Sequence, residues 1–166
     1  MLTTLLVQGC FTASAGAIRP TGVQAVGKCS TPEDEDRMAD QVLELINLER
    51  AQRDLQPVML DAKLTTMAKD FACRMVRGKF FSHRDPETGY GPADRAIVAR
   101  YPFFAIGENL AAGQESAAEV MKLWMQSESH RDIILDPTWR DVGIAVRAGG
   151  EHGLYWVQEF GDPANF

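Results

Sequence analysis

The feature that most constrains the fold is a change of period along the chain. In the last quarter, Val142, Ile144 and Val146 alternate with Gly143, Ala145 and Arg147. Leu154, Trp156, Gln158 and Phe160 then alternate with Tyr155, Val157 and Glu159. Gly149-Gly150-Glu151-His152-Gly153 separates the two runs. A period of two broken by glycines predicts a β-hairpin. Upstream the period is helical. Met38, Val42, Leu45, Ile46 and Leu48 follow helical spacing up to about Asp54, where Gln56-Pro57 stops the run. Thr31 and Pro32 fit the cap and first position of this helix, and Glu33 to Asp36 favour its positive end. A second helix opens at Asp61, carries Leu64, Met67, Ala68, Phe71, Ala72 and Met75 on one face, and is expected to stop at Gly78. That Met and Phe stripe is core by its spacing, not a cofactor box.

Between these regions the signals are shorter. Asp85-Pro86, Thr88-Gly89 and Gly91-Pro92 mark residues 82–94 as a loop. A short helix is predicted from Ala93 to Ala99, and Ser116 caps another with Val120, Leu123 and Trp124 inward. His130 to Leu135 reads as one further helical turn. Early helices and late strands predict a layered α+β domain. A length of 166 residues suits one such domain plus a short tail. The net charge of −6 argues against nucleic acid as the main partner. No run of about 18 apolar residues predicts a transmembrane span.

Residues 1–17 read as an export leader. Leu2, Leu5, Leu6 and Val7 form a short apolar stretch with no Lys or Arg before it, which would fit an initiation site further upstream. Ala13-Ser14-Ala15 fits a cleavage site, whereas Val7-Gln8-Gly9-Cys10 resembles a lipoprotein box with Cys10 acylated. Residues 18–30 read as a linker and residues 31–166 as the folded domain. Once Cys10 is removed or acylated, Cys29 and Cys73 remain as one disulfide pair, which suits an oxidising compartment. The alternative is that Cys73 is a small buried hydrophobe. These signals predict an extracytoplasmic protein, either secreted or anchored through Cys10.

Familiar catalytic motifs are missing. The sequence has no H-E-x-x-H, no G-x-S-x-G, no phosphate loop and no dinucleotide fingerprint. What remains is a set of histidines and carboxylates. His83 follows two aromatic residues and opens the turn-rich loop. Glu108 stands between Gly107 and Asn109, where a tight turn is expected. Glu128 and His130 are two apart, so they share no helical face. Each residue taken alone has a plain reading, as a hydrogen-bonded structural side chain or a backbone cap. His152 at the hairpin tip is expected to be solvated.

Taken in order, several segments resemble the CAP superfamily of cysteine-rich secretory proteins, venom antigen 5 and pathogenesis-related proteins, in its bacterial SCP-like branch. They are Asn47-Leu48-Glu49-Arg50, Leu60 to Leu64, Phe81-Ser82-His83, Gly107 to Ala111, Trp124 to Leu135, Asp141 to Ala145 and Tyr155 to Gly161. The resemblance runs over residues 36–162. It implies a three-layer α-β-α sandwich with a small antiparallel sheet. It also implies a cleft in which His83, Glu108 and His130 converge, with Glu128 as a weaker fourth member. The family's second acid falls at Ser127 here, one position before Glu128.

The resemblance further implies a non-enzymatic binding module for a lipid, peptide or cell-envelope ligand, with no certain cofactor. A first alternative is a metal-assisted hydrolase with Zn²⁺ or another divalent cation on His83 and His130 and Glu108 as base. A second is an envelope protein in which the cluster only stabilises the fold.

Overall fold

A computed structural model describes residues 27–164. The expected second helix forms where its cap predicts. The Asp61 carboxylate accepts from the backbone N–H groups of Lys63 (2.8 Å) and Leu64 (2.9 Å). Helix α2 then runs from Ala62 to Gly78. It closes with Lys79 in the left-handed region (φ 53°), one residue beyond the expected glycine stop. The first helix, α1, spans Glu35–Ala51 and so starts later than Thr31-Pro32 would place it. The reason lies just before it. Ser30 exchanges backbone hydrogen bonds with Ala148 (2.9 and 2.8 Å), and Cys29 is disulfide-bonded to Cys73. The chain is therefore extended at Ser30 and turns into a helix only at Glu35. Helix α3 spans Pro92–Val98, with proline in its first turn. Helix α4 spans Ala117–Gln126, capped by the Ser116 hydroxyl, and α5 spans Glu128–Ile134.

The expected hairpin is present as β3 (Asp141–Gly149) and β4 (Gly153–Pro163). Two further strands complete the sheet. They are β1 (Met59–Leu60) and β2 (Phe103–Ala112), in the order β1-β3-β4-β2. The three long strands are antiparallel, as expected, while β1 pairs parallel with β3 and makes the sheet mixed. Glu108 thus sits in the middle of a strand and not in a tight turn.

Strand alternation sorts the layers. Val142, Ile144, Val146, Trp156 and Phe160 pack with Met38, Val42 and Ile46 of α1 and Val120 and Trp124 of α4. On the opposite face, Ala145, Tyr155 and Val157 pack with Ala68, Phe71, Ala72, Met75 and Val76 of α2. Helix α3 closes one end of that layer through Ala96, which clusters with Leu64, Met67 and Tyr101. The architecture is the α-β-α sandwich. Gly143 lets its two halves meet, because a Cβ there would overlap the Leu64 carbonyl.

The Asn47-Leu48-Glu49-Arg50 segment has a structural role. Asn47 pairs with the backbone of Val58 through both its amide groups (3.0 and 2.9 Å). Arg50 is wholly buried and donates to the carbonyls of Gln56 (2.8 Å), Ile134 (2.8 Å) and Asp136 (2.9 Å). Burial holds its pKa below the usual arginine value. One guanidinium thereby fixes the chain leaving α5 against the end of α1.

Candidate functional site

The site grows from two adjacent strand positions. Glu108 of β2 and Glu159 of β4 are register partners, so their side chains share one face of the sheet. That face is the one covered by α2 and α3. Two carboxyl groups side by side and out of water need a cation or a proton. Arg95 of α3 supplies the cation. Its Nη2 is ion-paired with Glu108 Oε2 and lies 3.4 Å from Glu159 Oε1. Its Nη1 donates to the carbonyls of His83 (3.0 Å) and Tyr90 (3.2 Å), which pins the turn-rich loop to the sheet. The guanidinium also stacks on Phe71 of α2, with Cζ 3.4 Å from the ring centroid.

The second oxygen of Glu108 accepts from His83 Nδ1 at 2.7 Å. With the carboxylate as acceptor, Nδ1 carries the proton and the Nε2 edge is left free of this bond. The His83 side chain is 58% exposed, whereas that of Glu108 is 1% exposed. The pair is a solvent-facing imidazole seated on a buried carboxylate. The hydrogen bond to Glu108 raises the His83 pKa, against a smaller opposing effect of burial.

His130, in α5, approaches from the other side. Its carbonyl accepts from Asn109 Nδ2 (3.1 Å), and the same amide nitrogen donates to Gln158 Oε1 (3.1 Å). Its Nδ1 is buried without a hydrogen-bond partner. Burial lowers its pKa, and the positive charge of His83 lowers it further. Glu159 is the opposite case. Burial, and then the Glu108 charge, push its pKa well above the usual carboxylate value. Its Oε2 has no partner.

Of the residues named from sequence, His83 and Glu108 are in direct contact, and His130 is near enough to feel the charge of His83. Glu128 is exposed in the first turn of α5 and makes no ion pair among the described residues. Ser127, at the family's acid position, has its hydroxyl 3.3 Å from that of Ser129. His152 is exposed, with its ring 5.6 Å from that of Tyr155. Cys29 and Cys73 form the disulfide, which suits an oxidising compartment. Cys10 and the leader expected over residues 1–17 lie outside the described residues.

Sequence reasoning missed Arg95 and Glu159. For Glu159 a signal existed, since it is the one acid on the Tyr155, Val157, Glu159 face of a strand. For Arg95 there was none, because an arginine on a short helix is ordinary.

These residues fit a metal poorly. No group of three or more His, Cys, Asp and Glu among the described residues could hold an ion. Glu108 has both oxygens engaged, one by His83 and one by Arg95. Two imidazoles alone fall short of the three or four protein ligands usual for zinc.

Comparison with known proteins agrees with this architecture. The profile of the cysteine-rich secretory protein family, CAP, matches residues 43–160. The chain belongs to the CAP family. Protein YkwD of Bacillus subtilis is 34% identical over 131 residues, covering 79% of this chain and 49% of the relative. The chain thus spans about half the length of that relative. An extracellular protein with an SCP domain from Bacillus anthracis superposes with a TM-score of 0.68 at 26% identity, over 76% of this chain and 41% of that one. An outer surface protein of Borrelia burgdorferi superposes with a TM-score of 0.74 at 20% identity, over 82% of this chain and 100% of that one. Among the described residues of the present CAP chain, no helix is long and apolar enough to cross a membrane.

Proposed function

We propose that this CAP domain is an extracytoplasmic binding module. The outward edge of His83 would meet the polar end of an apolar, peptide or envelope ligand. One observation carries this reading. Among the described residues, the only carboxylate in contact with the exposed imidazole is buried, with one oxygen on His83 and the other on Arg95. A general base must be within reach of the substrate, and the Glu108 side chain is only 1% exposed. His83 remains, donating outward through Nε2–H when charged and accepting at Nε2 when neutral, which suits recognition of a polar group. Its raised pKa keeps that donor protonated further toward neutral pH than a free histidine. The extracellular and outer-surface neighbours and the disulfide support the location.

The reading is tested by turnover and by metal. Model esters, amides and envelope peptides should be hydrolysed no faster by the protein than by its His83→Ala variant. A defined substrate turned over by the protein and spared by His83→Ala would overturn the proposal. The hydrolase alternative, with His83 and His130 as ligands and Glu108 as base, predicts tight Zn²⁺ binding. The binding-module account expects calorimetry to show equally weak uptake by the protein and by the His83→Ala/His130→Ala double variant.

A further inference from the structure

A groove of about 370 Å³ lies beside the cluster, between α2, α3 and the turn-rich loop. That volume falls within the range of small-molecule sites. Its walls are largely apolar, with Met67 and Phe71 from α2, Tyr90 from the loop, and Val98 and Ala99 from α3. Tyr90 is 45% and Val98 68% exposed, so apolar surface continues out to the rim. The charged residues on the lining cancel, with Arg74 and Arg95 against Asp70 and Asp85. Arg74 is in turn held by Asp85, Nε to Oδ2 at 2.7 Å. A groove of this balance favours a neutral occupant.

Arg95 gives the occupant its polar requirement. Its side chain is only 10% exposed and lines the groove. Nη1 and Nη2 are engaged by His83, Tyr90, Glu108 and Glu159. Nε is buried with no acceptor. A buried donor without an acceptor is costly, and a ligand that supplies one gains from it. We propose that the groove is a binding subsite for a neutral aromatic or short acyl group bearing a carbonyl acceptor, which Arg95 Nε engages. This rests on the binding-module reading and names the ligand class. Arg95 is then shared, with one end holding Glu108 beneath His83 and the other facing the bound group.

The test is a titration of the full chain followed by amide NMR, with benzamide, toluene, benzoate and benzylammonium as probes. Benzamide should give saturable shifts at Thr66, Phe71, Val98 and Ala99. Toluene lacks the acceptor and should bind about 10-fold more weakly. Thr66 is exposed on α2 and lines the groove, so Thr66→Trp fills it from outside the core. That variant should keep its melting temperature and lose benzamide. Arg95→Lys should bring benzamide down to the level of toluene. Unchanged benzamide binding by Thr66→Trp would overturn the proposal. So would tighter binding of benzoate or benzylammonium, or the absence of saturable shifts in the groove. Shifts confined to His83 and His130 would also overturn the subsite while leaving the binding module standing. A turnover dependent on His83 would remove the binding module without touching groove occupancy.

Discussion

Glu159 shows how one buried acid can be read from both structure and pH. It has no exposure to solvent and one oxygen without a partner, and its pKa is raised by burial and then by Glu108. The folded state therefore holds this proton more tightly than the unfolded chain. The associated stability is fully present below the unfolded value near 4.5 and is lost as pH rises toward the folded value. Glu159→Gln keeps the shape and cannot titrate. Relative to the parent, it should gain stability as pH rises from 4 to 7. Urea midpoints at the two pH values measure this, and a pH-independent difference would contradict it. Arg95→Ala goes the other way. It leaves Glu108 and Glu159 without their cation in a dry interior, and denaturant unfolding should show a loss of about 3–5 kcal/mol. The contact of His83 with Glu108 was expected only from the ordered motifs of the resemblance, since each residue alone has a plain structural reading. Arg95 was not legible in the sequence, because its role exists only once α3 folds over the β2–β4 pair.

Elements were legible where local chemistry and packing agree. Asp61 and Ser116 cap the helices they were expected to cap. The glycine-rich break joins the two strands it was expected to join. Strand β2 was not legible, since Gly107, Glu108 and Asn109 are poor strand residues and read as a turn. Pairing with β4 along the length of Phe103–Ala112 overrides that preference. The start of α1 was misplaced for a similar reason. Thr31-Pro32 is a sound cap locally, but the preceding residues are held to Ala148 and Cys73. That tether carries its own prediction. The disulfide closes a loop of sequence separation 44. Replacing both cysteines by alanine should cost about 4 kcal/mol on the chain-entropy account. Thermal unfolding measured with and without reductant would show it, and equal melting temperatures would contradict it.

At the scale of the whole molecule, the fold places one ionisable cluster where three elements meet the sheet. The loop brings His83, α3 brings Arg95 and α5 brings His130, while the sheet supplies Glu108 and Glu159. The two histidines then oppose each other in pH. His83 is raised, so its stabilisation is present below pH 6.5 and fades as pH rises through its folded value. His130 is lowered, so its contribution is present above pH 6.5 and fades as pH falls through its folded value. The two windows meet at pH 6.5, so the combined histidine contribution should be greatest near there and fall away on either side. The sandwich and the family were legible in the sequence because ordered motifs encode them. The ligand was not, because recognition depends on which atoms stay unpaired after packing.

The central claim is that His83 is seated on Glu108 in a site closed by Arg95. The direct measurement is the NMR titration of the His83 ring in the protein and in Glu108→Gln. The predicted result is a midpoint above 6.5 in the protein that falls when the carboxylate is replaced. A midpoint at or below 6.5, or one that Glu108→Gln leaves unchanged, would contradict the account.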